Sequence, residues 1–186
     1  MKKRRFVNHP RYGAVPHISG ITLAEEQIRQ GFWHLRIEET MFPGSVLIAR
    51  TELQNCTISP RQYYVDLVRT CRRCARRFIF FAKEQRYWFE TLKFFVEADC
   101  VLCPECRPQA RTIQRRIRRY SDLMKRQNRT ADELETLVDD AVYLLGHGVL
   151  RNLHRLGALK NEALRIIPRR PGTIRLEEAL AKARRA

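Results

Sequence analysis

Acid is scarce in this chain: 20 Asp and Glu stand against 36 Lys and Arg, leaving a formal charge of +16. A balance this basic argues against cationic partners and for a polyanion. Long apolar runs are missing too. No stretch approaches the roughly 20 apolar residues a spanning helix needs, so no membrane partner is expected. The basic start MKKRRFVNHPRYG lacks the apolar stretch of a secretory signal, so the expected compartment is cytoplasmic. Histidine is the third shortage, with five in all and none from 35 to 146.

Cysteine, by contrast, is concentrated. Of six cysteines, Cys71 and Cys74 form one CxxC and Cys103 and Cys106 another. In a reducing compartment such pairs point to metal rather than to disulfides. Two pairs of thiolates suit a tetrahedral Zn2+, because a two-residue spacer lets one tight turn aim both sulfurs at a point about 2.3 Å away. A redox dithiol without metal is the competing reading. Cys100 adds an overlapping CxxC frame and reads as a fifth thiol packed nearby or, alternatively, as a ligand in place of Cys106. Cys56, remote from both pairs, reads as a small core residue.

The loop between the pairs is longer than the roughly 15–20 residues of the commonest spacing, so folded material must fill it. Phe78–Ala82 reads as a short apolar strand, and Tyr87, Trp88, Phe89, Leu92 and Phe95 suit a short helix beyond it. Pro104 and Pro108 stand where prolines are tolerated at a helix start. Knuckle, strand, then a helix led by the last two ligands is the order of a treble clef. The first CxxC, the Phe78-Ile79-Phe80 strand, the Glu84-Gln85 pair, the aromatic run and the closing Cys103-Pro-x-Cys106-Arg107 resemble a treble-clef zinc-ribbon family of uncharacterised bacterial proteins. The resemblance covers 70–107 and implies a zinc fold with ligands Cys71, Cys74, Cys103 and Cys106; it implies no reaction.

Charge is concentrated next to this stretch. Residues 108–129 hold eight basic side chains and one acid, Asp122, and so carry +7 of the +16. Ile113, Ile117, Tyr120 and Met124 fall at spacings of 4, 3 and 4, one apolar stripe on a helix. Arg111, Arg115, Arg116, Arg118, Arg119, Lys125, Arg126 and Arg129 occupy its other faces. Like charges three and four apart each cost a few tenths of a kcal/mol. A helix with so few acids to compensate is better explained by an outside polyanion. Nucleic acid leads, with RNA or the ribosome ahead of DNA; a solvated basic face and an acidic protein are the other readings. Arginines 72, 73, 76, 77 and 107 ring the cysteines, where cations offset a tetrathiolate zinc of net charge about −2.

Elsewhere, Lys2–Arg5 reads as a solvated tail or an arm laid on phosphates. Leu23–Gly31 reads as a short helix with Thr22 as N-cap, and Trp33, Leu35 and Ile37 as a half-buried strand. Val46–Ala49 is a second apolar run, with Met41–Gly44 as the turn between them. Arg61–Thr70 leads into the first knuckle. His9, His17 and His34 read as surface or satisfied core groups. Thr130 and Glu133 form a capping box before an amphipathic helix that Gly146-His147-Gly148 interrupts. A second leucine-rich helix ends at Pro168, RRPGT is a turn or linker, and Ile174–Ala186 is a short charged helix. Asp139 and Asp140 point to different helix faces and do not form a site with His147.

The expected fold class is α+β: a treble-clef zinc ribbon with a long basic helix and a helical C-terminal extension. Its expected segments are a basic arm and loop over 1–20, a mixed lead-in over 21–69, the ribbon and basic helix over 70–129, and a helical region over 130–186. The expected function is noncatalytic: zinc holds the fold while arginines contact nucleic acid. A protein partner at the aromatic insert Tyr87–Phe95 or at the C-terminal helices is the alternative. A treble-clef nuclease ranks last, because its histidine pair is absent and four cysteines leave no open position for water.

Overall fold

The computed structural model describes residues 5–31, 35, 38–56 and 58–185. Lys2–Arg4 of the expected arm, Trp33 and Ile37 of the expected strand, and His34 lie outside the described residues. The chain forms two compact units, Met1–Pro108 and Gln109–Ala186.

The first unit is built on a three-stranded antiparallel sheet of β1 (Met41–Ile48), β2 (Tyr63–Thr70) and β3 (Arg77–Phe80), in that order. Leu67 pairs with Phe80 and Thr70 with Arg77, so the first CxxC forms the turn of the β2–β3 hairpin. Alternation along the strands sends Val65, Leu67, Phe78 and Phe80 into one apolar cluster and Ile79 into another with Phe6 and Phe81. Val7 bridges to Phe78 in parallel and donates to the Arg77 carbonyl at 2.8 Å. The N-terminal chain thereby covers part of the sheet edge.

Met41–Gly44 is not a turn: these residues belong to β1, whose register against β2 shifts between Phe42 and Leu47. Pro43 and Gly44 fall in that interruption, where a missing ladder bond costs least. Ser45 closes it, donating to the Phe42 carbonyl at 2.6 Å and accepting the Asp66 N–H at 2.8 Å. The first helix, α1 (Glu25–Gln30), starts after Ala24 rather than at Thr22; the Gln27 side chain takes the Ala24 N–H at 3.1 Å. Arg61–Thr70 proves to be mostly strand. Its sequence shows no clean alternation because both faces of β2 are covered, with Tyr64, Val65, Asp66 and Leu67 all buried.

After β3 the chain enters α2 (Ala82–Arg86), which continues as a π-helical turn over Tyr87–Thr91, with Leu92 N–H bonded to the Tyr87 carbonyl at 3.0 Å. The expected strand therefore ends before Ala82. Asp66, fully buried on β2, explains why: its carboxylate accepts the Ala82 N–H at 2.6 Å and the His17 N–H at 2.8 Å, capping the helix from the sheet. Burial raises the Asp66 carboxyl above its usual range while those N–H groups pull against the shift.

The second unit packs four helices: α3 (Arg107–Lys125, beginning two residues ahead of the unit boundary), α4 (Ala131–Gly146), α5 (Leu153–Ile166) and α6 (Pro171–Arg185). Leu134, Leu137, Val138, Ala141 and Leu144 of α4 meet Leu156, Leu159, Leu176 and Leu180 in one core. The apolar stripe of α3 joins it through Ile113, Ile117, Tyr120, Leu123 and Met124, so most of the basic helix packs with the C-terminal helices. The Thr130–Glu133 box forms as its spacing predicts, with bonds of 3.2 and 2.9 Å.

RRPGT is not a free turn. Pro171, Gly172 and Thr173 form the first turn of α6, where proline's missing N–H goes unused. Thr173, fully buried, donates to the Ile167 carbonyl at 2.9 Å, and a Cβ on Gly172 would sit 2.8 Å from Asp139 Oδ1.

Candidate metal centre

Two tight turns bring the cysteines together. In the first, Ala75 adopts φ 56°, an unfavourable left-handed conformation for a residue with a Cβ, and donates to the Cys71 carbonyl at 2.9 Å. In the second, the N–H groups of Cys106 and Arg107 bond the Cys103 carbonyl at 3.0 and 3.2 Å as the chain turns into α3. Arg72 N–H reaches the Val101 carbonyl at 2.9 Å and ties one turn to the other.

The sulfurs of Cys71, Cys74, Cys103 and Cys106 all lie within 4.8 Å of one another, and those of Cys74 and Cys103 are 3.8 Å apart. A regular tetrahedron with about 2.3 Å from centre to sulfur has edges of about 3.8 Å. All six cysteines are free thiols. The four sulfurs are thus positioned for a metal ion that takes soft, tetrahedral donors.

Hydrogen bonding grades their acidity. Burial opposes ionisation of Cys71, yet backbone N–H groups of Cys103, Cys74 and Arg73 outweigh it and bring the thiol down to about 6. Backbone and guanidinium donors of Arg76 lower Cys74. Burial raises Cys103, and burial together with the neighbouring thiols pushes Cys106 up to about 12. A divalent cation binds the thiolate form of all four and displaces their protons.

Cys100 stands outside the group of four. It is buried, and Arg107 Nη2 donates to its sulfur at 2.9 Å. Burial pushes its thiol up to about 12 despite that cation. Arg107 also bonds the Leu102 carbonyl at 2.9 Å, pairs with the buried Glu84 carboxylate and lies over the Trp88 ring at 5.3 Å. His9, whose Nε2 is 3.4 Å from Glu84, completes this layer as a satisfied core histidine. Of the other nearby arginines, Arg76 pairs with Glu105 and Arg77 lies over Phe6, whereas Arg72 and Arg73 are exposed.

The basic helix divides its arginines. Arg116 Nη1 bonds Asp140 Oδ1 at 2.7 Å, with its guanidinium 4.3 Å from the centre of the Tyr143 ring. Arg119 binds the same fully buried carboxylate through two bonds of 2.6 and 2.7 Å. Arg126 pairs with Glu133. The expectation of few compensating acids therefore holds along the helix itself but not across to α4. Arg111, Arg115, Arg118 and Lys125 are exposed and make no ion pair among the described residues. Arg111, Arg115, Arg118 and Arg119 line one shallow surface recess with Asp122 and Arg126.

Residues 65–115 match a protein-family model described as a probable treble clef domain. No curated protein and no solved structure matches the chain. The matched segment holds the β2–β3 hairpin, both CxxC turns and the start of α3, and it is a treble clef domain with four cysteines positioned for metal binding. No helix among the described residues is long and apolar enough to cross a membrane.

Proposed function

We propose that this is a noncatalytic, cytoplasmic zinc-binding protein that contacts nucleic acid, RNA or ribosome ahead of DNA, through the exposed arginines of α3. Cys71, Cys74, Cys103 and Cys106 would hold Zn2+, which supplies a closed structural centre rather than a reactive one. The observation that carries the polyanion reading is the row Arg111, Arg115 and Arg118, exposed at helical spacing and without an acid partner among the described residues. Arg119 and Arg126 flank that row while sharing their charge with Asp140 and Glu133. Arg116, turned toward Asp140 and Tyr143, supports the helix instead.

The test is a titration of labelled structured RNA and duplex DNA at several salt concentrations. Binding through the helix gives a steep fall with salt, about 0.9 in log K per log salt for each duplex phosphate neutralised. The triple variant Arg111→Glu, Arg115→Glu, Arg118→Glu is expected to lose that binding while retaining its zinc. Unchanged binding would overturn this reading. A second reading, a protein partner, is favoured by the exposed run Leu92, Phe94 and Phe95 beside the metal domain's aromatic core.

A further inference from the structure

The treble-clef unit carries a second concentration of cations, which the spacing of the sequence does not disclose. Arg11, Arg50 and the α2 pair Lys83 and Arg86 come from three places in the chain and line one recess of about 380 Å3 with Tyr12 and Tyr87. That volume falls within the roughly 300–1,000 Å3 of small-ligand sites. None of the four cations forms an ion pair with an acid among the described residues. Arg11, Arg50 and Arg86 are exposed, and Tyr87 is an exposed ring on the π-helical turn.

The acid on the wall, Glu90, is already engaged. It is buried and accepts the Arg50 N–H at 2.8 Å, which fixes the backbone carrying the Arg50 side chain. The backbone at Arg11 and Tyr12 is fixed as well. His9 Nδ1 accepts the N–H groups of Arg11 and Tyr12 at 3.1 and 3.2 Å, and its ring stacks on Tyr12 with centroids 4.6 Å apart. His9 and Gly13 exchange backbone hydrogen bonds of 2.7 and 2.9 Å across this turn. The recess therefore sets four cationic side chains and two aromatic rings, with the engaged Glu90, on backbone that is fixed at Arg11, Tyr12 and Arg50.

We propose that this recess binds one nucleotide unit of a single-stranded nucleic acid, its phosphate among Arg50, Lys83, Arg86 and Arg11 and its base stacked on Tyr87. Cations hold the phosphate, and an exposed ring accepts any base face, which a paired and stacked duplex does not offer. An anionic membrane surface fits less well, since the apolar Leu92, Phe94 and Phe95 do not line the recess. The site shares its ligand class with the function proposed above but does not depend on α3.

The experiment measures binding of a labelled, unstructured 12-nucleotide RNA to the full zinc-loaded chain by fluorescence anisotropy. The variants are Arg50→Ala with Arg86→Ala, Tyr87→Ala, Tyr87→Phe, and the α3 triple variant. The double arginine variant is expected to weaken binding about tenfold and to lower the salt slope by roughly 0.7 for each phosphate it no longer neutralises. Tyr87→Ala is expected to cost roughly fivefold or more, whereas Tyr87→Phe, which keeps the ring, stays near the parent. Duplex binding should not respond to Tyr87. The recess variants should act equally in the α3 triple background, so a defect confined to the triple variant overturns the recess while sparing the helix. Wild-type affinity in both recess variants overturns it as well. So does full competition by a free nucleoside monophosphate as tight as the strand, or binding to phosphatidylserine vesicles with none to the RNA.

Discussion

The two units solve the problem of burial differently. Among the described residues of the first, seven polar or charged side chains are buried: His9, Ser45, Arg61, Asp66, Glu84, Gln85 and Glu90. Its apolar side chains divide into three separate clusters. Among its described residues the second unit buries only Asp140 and Thr173 of this kind, and its helices share a single leucine-rich core. Area removed from water stabilises the helical unit without directional demands. The treble-clef unit relies on partners set in fixed places, because each buried polar group is costly when its partner moves. A metal at its four sulfurs would be the strongest of those fixed points.

Metal removal is the sharpest way to break this comparison. Chelation, or Cys103→Ser, is expected to remove the largest single contribution, on the order of 10 kcal/mol of apparent binding free energy. Amide exchange should then accelerate in β2, β3 and α2 while α4 and α5 keep their protection; equal loss in both units would erase the distinction. Acid should act in the same direction, because only thiolates bind the metal and protons compete as pH falls. Zinc release measured across a pH series reports this, with retention at high pH and loss at low pH.

Next in size is Leu137→Ala, which removes a fully buried side chain from the helical core. It should cost about 2–5 kcal/mol in denaturant unfolding, with zinc content unchanged. Asp140→Ala follows at about 1–3 kcal/mol, since it strands two guanidinium groups, of which that of Arg119 remains half exposed to water. The same change should tighten RNA binding, because no carboxylate then offsets the positive charge of Arg119 on α3. Weaker RNA binding would mean that Asp140 presents the arginine rather than withholding it. The smallest effect is expected at the knuckle. Ala75→Gly relieves the left-handed strain and should raise the melting temperature, by about 0.5–1 kcal/mol of stability after the entropy of glycine is deducted.

What could be read without coordinates was local. The CxxC spacing, the capping box of α4 and the apolar stripe of α3 each lie within a few residues, so the chain's own geometry enforces them. The irregular β1 escaped that reading because Pro43 and Gly44 are ordinary turn residues unless a neighbour such as Ser45 repairs the ladder. Pro171 and Gly172 misled for the same reason, since their place in α6 depends on packing against α4.

The order of residues alone dictates the treble clef, its four sulfur donors and an excess of positive charge beside them, since covalent proximity and side-chain chemistry suffice for each. Which of those charges stay available is a matter of folding in three dimensions. The fold delivers Asp140 to Arg116 and Arg119, and Glu84 to Arg107, across 21 to 24 residues of chain. It also gathers Arg11, Arg50, Lys83 and Arg86 around Tyr87. The reason is that a charge counts through the distance to its partner in space, which position along the chain does not set.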